Sequence, residues 1–271
     1  MSWMHTLAMW PLWLTVSGVF VISAALAWLL VTVVRRRAPY PLLKENNELV
    51  GFTYAVYGLI YGVLLAFTII VAWERFAETE RIVMHEVTIL SQLWRDAKAF
   101  PPEVSEGLHS NLLVYTQSVI EDEWPVMATA GKSHEKTRRI YEQLWERTYK
   151  LAPQTKNQEA YLTEVLSDIN QLSANRRLRI LYSRTEINGI LWLVLFVGAA
   201  PCIGYTLLFA SRHGWVQVVI TFSVMLIVLL SLLVALSLQY PFTGDVSIQP
   251  EAFHELLESF HQRLLDAGVH G

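Results

Sequence analysis

Cysteine is nearly absent. Cys202 is the only one in 271 residues, and it lies inside an apolar run. No disulfide can close within the chain, so cysteines say nothing about the compartment, and a small packing residue is the expected role. Charge of one sign is also lacking. The 21 Lys and Arg and 24 Asp and Glu leave a net charge of −3, which argues against nucleic acid as a partner. The phosphate-cradling G-x-x-x-x-G-K pattern is missing. His85-Glu86 opens no zinc-protease helix, because Ile89 stands where the second histidine belongs, and His254-Glu255 fails the same way at Glu258. His254, Glu258 and His261 share a helical face, but a solvated amphipathic tail explains that spacing without a metal. No catalytic constellation remains, so the reading is of a non-enzyme with no cofactor and no metal. There is no strand alternation, internal repeat or low-complexity segment.

What is present is hydropathy in four blocks. Leu12 to Val34 carries no charged residue over about 23 positions, enough for a bilayer core of ~30 Å. Val50 to Trp73, Ile190 to Ala210 and Trp215 to Leu238 are also long enough. The first block ends at Arg35-Arg36-Arg37 and not at a small-residue cleavage site, so it is expected to stay in the mature protein. The predicted fold is an all-α integral membrane protein with four transmembrane helices and an inserted helical stalk. Residues 1–73 form an N-terminal membrane part with spans at 12–34 and 50–73. Residues 74–186 form an extramembrane domain, 187–238 a second membrane part with spans at 190–210 and 215–238, and 239–271 a tail.

The polar region reads as helical throughout. Val83, Val87, Leu90, Trp94 and Ala97 recur at threes and fours, and Pro101-Pro102 ends that helix. Val104, Leu108, Leu112, Tyr115 and Val119 repeat the pattern until Pro125, which is expected to kink or end it. Glu121, Asp122 and Glu123 read as a solvated face. A third helix holds Ile140, Leu144 and Leu151. A fourth starts near Gln158 and continues through Arg176, Arg177, Arg179 and Arg184 towards the third span. The loop from Arg35 to Leu49 is expected to be irregular because of Pro39 and Pro41. Basic residues do not settle orientation. Arg35, Arg36, Arg37 and Lys44 favour a cytoplasmic first loop, whereas Arg75, Arg81 and the arginines after position 175 favour a cytoplasmic helical region.

The second span has three faces. Leu59, Val63 and Phe67 make an apolar row that either meets lipid or forms a hydrophobic constriction around a shared axis. Gly58, Gly62 and Ala66 make a row of small residues suited to close helix packing, within one subunit or between subunits. Tyr54, Tyr57 and Tyr61 make a polar-tipped face. No Asp, Glu, Lys or Arg lies within the spans, which lowers the case for a coupled transporter. After Gly62 neither glycine nor proline interrupts "VLLAFTIIVAWERFAETERIVMHE", so the helix is expected to leave the membrane unbroken.

These residues resemble a family. "LLAFTIIVAWERFAETE", Leu64 to Glu80, is similar to the second span of bestrophin anion channels, with Phe67 closing an apolar neck ahead of Trp73, Glu74, Arg75 and Phe76. "YPFTGD" is similar to the bestrophin Pro-Phe-Gly-x-Asp segment, through Pro241, Phe242, Gly244 and Asp245, with Thr243 inserted. Further marks are "NNELVGF", "EDEWPVM" with Trp124 and Pro125, "RRLRILYSR" and Leu191-Trp192. Together they resemble the bacterial bestrophin-like family over nearly the whole chain. The acidic cluster of the animal calcium clasp is missing, and Gln239 stands where the bacterial family suggests an acid.

The resemblance implies a homo-oligomeric ion channel, a pentamer if the likeness holds in full. It implies a preference for small inorganic anions and a neck of Leu59, Val63 and Phe67. It also implies a bacterial inner-membrane location, with the helical domain and both termini in the cytoplasm. The alternative is a non-conducting scaffold or sensor whose helical domain binds a partner protein. The lipid bilayer is a partner in either case.

Overall fold

The computed structural model describes residues 3–38, 40–184, 187–209 and 211–269. Among them the chain is helical, with no strand, as the sequence predicts. Four helices are long and apolar enough to cross a membrane: α2 (Leu12–Arg37), α4 (Asn47–Asp96), α9 (Gly189–Leu208) and α10 (Gly214–Gln239). Two short helices were not foreseen, α1 (Trp3–Ala8) and α3 (Tyr40–Glu45). Pro41 sits at the start of α3, where its missing N–H is no loss. That makes the first connection shorter and more ordered than expected. Pro39, the third span's Ala210 and the predicted domain end at Glu186 lie outside the described residues.

Two compact units emerge. The first comprises Met1–Phe76, Glu186–Tyr240 and Gly244–Val246. Its core brings Tyr61, Leu65 and Ala72 of α4 against Trp192, Leu195, Ala199 and Cys202 of α9 and Val228, Leu232 and Leu236 of α10. Cys202 is buried there as a packing residue. The Tyr57 and Tyr61 hydroxyls donate to the carbonyls of Gly198 and Leu195, at 3.0 and 3.3 Å. A Cβ on Gly198 would stand 2.8 Å from the Tyr61 ring, so only glycine permits this approach. Arg35 donates to the Ser211 carbonyl at 3.0 Å and ties the end of α2 to the α9–α10 turn.

The second unit comprises Ala77–Thr185, Pro241–Thr243 and Ser247–Gly271. It contains the later part of α4, then α5 (Pro102–Ser118), α6 (Trp124–Ala130), α7 (Glu135–Tyr149), α8 (Lys156–Tyr182) and α11 (Glu251–Val269). Pro125 does not break the path from α5 to α6. The chain widens into a π-helical turn over Val119–Glu123, which accommodates a residue without an N–H. Leu151 falls after α7, not within it, and α8 ends at Tyr182, so it is not one helix with the third span. Thr155 caps α8 by accepting from the Gln158 N–H at 3.2 Å. The C-terminal α11 is built into this core. Phe260 stacks on Trp94 at 4.0 Å, and His109 stacks on Trp94 at 4.1 Å while donating to its carbonyl.

Candidate functional site

Two features stand out: the free face of α4 within the apolar span, and a buried set of charges in the helical unit.

On α4 the packed face is Tyr61, Leu65, Thr68 and Ala72, all buried. At 3.6 residues per turn, Leu59, Val63 and Phe67 fall on the opposite side of the helix. They are 70%, 45% and 63% exposed. Gly58, Gly62 and Ala66 lie on the flank between these faces and border an open groove of about 510 Å³ shared with Ile69, Cys202 and Val228. A Cβ on Gly58 or Gly62 would meet nothing within 4 Å, so these glycines are not there to admit a helix of the same chain. Beyond the row, Trp73, Glu74 and Arg75 are exposed, and the Trp73 and Phe76 rings stack at 6.4 Å.

In the helical unit α4 contributes Glu86, the π-turn Glu123, and α8 Arg176 and Arg179. The Arg179 Nε and Nη2 donate to the two oxygens of Glu86 at 2.7 and 3.1 Å, and Nη2 also reaches Glu123 at 2.9 Å. Arg176 Nη2 donates to the other Glu123 oxygen at 2.5 Å. The Tyr115 hydroxyl donates to Glu86 at 2.8 Å, and Ser133 Oγ and the His134 N–H complete the shell of Glu123. Trp124 and Phe253 place their rings beside the Arg179 guanidinium. Two carboxylates face two guanidiniums, so the buried set is neutral. Burial opposes ionisation of Glu123, but Arg179 and Arg176 outweigh it and hold the carboxyl below its ordinary value. Burial likewise opposes the Arg179 charge, and Glu86 and Glu123 hold it in place.

This corrects two expectations. Glu123 is fully buried, not part of a solvated face, because the π-turn rotates it inward between Arg176 and Arg179. Arg176 and Arg179 are not free membrane-flanking charges but ion-pair partners inside the core. The signal was present in the sequence. Glu86 stands on the stripe of Val83 and Leu90, Glu123 lies between Val119 and Met127, and Arg176 and Arg179 continue the stripe of Ile169 and Leu172.

The separate sequence marks also meet. Trp124 of "EDEWPVM" lies edge-on to Phe242 of "YPFTGD" at 5.3 Å and donates to the Ile248 carbonyl at 3.2 Å. Pro125, next to it, is exposed, and Pro241 is buried and accepts from the Ile248 N–H at 2.7 Å. The Thr243 hydroxyl donates to the Ala128 carbonyl at 2.7 Å. Asp245 accepts from the Leu12 N–H at 2.7 Å and so serves the first turn of α2. Gln239, where an acid was expected, accepts from the Trp192 indole N–H at 2.7 Å.

A family model described as the Bestrophin-like domain matches residues 21–253. Among solved structures, a single-residue variant of a bacterial bestrophin homologue from Klebsiella pneumoniae superposes with a TM-score of 0.67 at 14% identity, covering 91% of this chain and 99% of the other. A second crystal structure of a homologue from the same organism, phased on zinc, gives a TM-score of 0.65 at 15% identity over 91% and 97% of the two chains. No individually curated protein matches in sequence.

Proposed function

The chain belongs to the bestrophin-like family, and from that premise we propose that it is an oligomeric ion channel with its neck at Leu59, Val63 and Phe67. One observation carries the reading: this row lies diametrically across α4 from the face packed on α9 and α10. A helix lines a shared axis only if its own bundle stands behind it and its free face points inward. Three apolar side chains on successive turns then make a constriction about 12 Å long, at 1.5 Å per residue, that excludes water until it widens. An apolar neck sets no sign of charge, so the preference for small anions and the count of five copies rest on the resemblance alone. So does the placement in a bacterial inner membrane, with the helical unit and termini in the cytoplasm. Arg176 and Arg179 count for little in that orientation, since both are paired inside the core.

The test is ion flux. Purified protein in liposomes is recorded with chloride and potassium salts, as wild type and as Leu59→Ala/Val63→Ala/Phe67→Ala. Enlarged or less selective currents from the triple variant support a neck. Silence from both, with a folded oligomer verified by native mass spectrometry, overturns the channel and leaves a scaffold whose helical unit binds a partner. Orientation is tested separately, with Lys132→Cys in a Cys202→Ser background. Labelling from the periplasm in intact cells would sink the cytoplasmic placement.

A further inference from the structure

A cavity of about 400 Å³ opens between α7 and α8, outside both the span and the buried ion set. Tyr141, Ile180 and Leu181 supply apolar wall, and Arg176, Arg177 and Arg184 supply guanidinium groups. The remaining charges there, Arg138 and Glu142, already pair with each other at 3.1 Å. Arg177 and Arg184 are exposed and form no ion pair among the described residues. Arg176 is 8% exposed, and its contacts to Glu123 and Ser133 use only Nη2. Its Nε is buried without a hydrogen-bond partner. Orphaned buried donors are uncommon and unfavourable, and each one in a folded protein calls for a partner. The stem of Arg184 passes close to Gly131, where an added Cβ would lie 3.4 Å from its Cγ.

We propose that this cavity binds a phosphate group attached to an apolar or aromatic body. The planar guanidinium fork matches phosphate oxygens two at a time. Arg177 and Arg184 take the phosphate oxygens and Arg176 adds positive charge at the wall, where its guanidinium lies over the Tyr141 ring, while the body of the ligand lies on Ile180, Leu181 and the free edge of Tyr141. The volume is at the small end of ligand pockets, about 300–1,000 Å³, which suits a headgroup or small phosphomonoester. Both a phospholipid and a soluble phosphate ester carry this chemistry. The site is independent of conduction, and its test does not require a channel.

The probe is phenyl phosphate, titrated calorimetrically against the full chain in phosphatidylcholine nanodiscs, with inorganic phosphate as comparison. Saturable binding is expected, tighter for phenyl phosphate. Arg177→Gln/Arg184→Gln should weaken it by about tenfold or more, and Arg177→Lys/Arg184→Lys, which keeps charge but loses the fork, should fall between. The control Arg81→Gln/Lys150→Gln removes as much charge from exposed positions elsewhere and should leave affinity unchanged. No saturable binding by wild type, or equal weakening by the control, overturns the proposal. Discs containing phosphatidylglycerol identify the source. Competition assigns the cavity to a lipid headgroup, and unchanged affinity assigns it to a soluble phosphate.

Discussion

Glu86 and Arg179, far apart in sequence, meet in a two-pronged ion pair at 2.7 and 3.1 Å, and solvent reaches neither side chain. Removing Glu86 leaves Arg176 and Arg179 sharing the single carboxylate of Glu123, one buried positive charge in excess, at a cost of about 3–5 kcal/mol. Glu86→Leu is therefore expected to lower the unfolding temperature by roughly 10 °C, at about 2–4 °C per kcal/mol for a domain of this size class. The double variant Glu86→Leu/Arg179→Leu should lose less than Glu86→Leu alone, because Glu123 keeps Arg176 as its partner. Circular dichroism melts of the single and double variants decide it. Additive losses would mean that the pair is not coupled.

Glu123 makes the helical unit sensitive to acid. Its folded carboxyl sits below the ordinary value of 4.5 because Arg179 and Arg176 outweigh the burial penalty. The native state therefore gives up this proton more readily than the unfolded chain. Its contribution is fully present above pH 4.5 and is lost as pH falls below that value through the folded pKa. Melts between pH 3 and pH 7, values taken as about the range where carboxylates titrate, should show a steeper acid limb in wild type than in Glu123→Gln. Parallel curves would show that other acids carry the effect.

The spans and the unbroken α4 were legible because they depend on local facts. A run of some 20 residues without charge has few soluble alternatives, and nothing after Gly62 could stop the helix. The ends differ because hydropathy marks the lipid-facing stretch whereas hydrogen bonding runs past it. Thus α2 extends to Arg37 and α10 to Gln239. The buried charges escape a reading of apolar stripes for another reason. A stripe counted only in apolar residues treats Glu86, Glu123, Arg176 and Arg179 as interruptions. Their partners lie on other helices, which one-dimensional periodicity does not reveal. The π-turn belongs to the same class, since Pro125 announces a perturbed helix but not which way it turns.

Gly244 is expected to be irreplaceable. Its φ of 82° is in the left-handed region, and a Cβ there would run into the Ala8 carbonyl oxygen. A side chain at such a position costs of order 1–3 kcal/mol from backbone conformation, before the clash is counted. Gly244→Ala should lower the melting temperature by several degrees, as read by differential scanning fluorimetry. An unchanged melt would mean that the α1 end moves aside.

Gly58 and Gly62 have the opposite character. Both are helical, and a Cβ on either meets nothing of its own chain within 4 Å. Alanine there should hold or raise protomer stability, since glycine inside a helix is unfavourable by about 0.5–1 kcal/mol. Bulk is a different matter if a neighbouring copy of the proposed ring occupies the groove beside them. Leucine at both positions would occupy part of the groove of about 510 Å³ while leaving the buried face of α4 unchanged. Gly58→Leu/Gly62→Leu should therefore keep its helical content and lose its oligomer, which native mass spectrometry from nanodiscs reads directly. A variant that assembles as wild type does would place lipid, and not a second copy, against the small-residue row. The neck would then have to be formed with the groove left open.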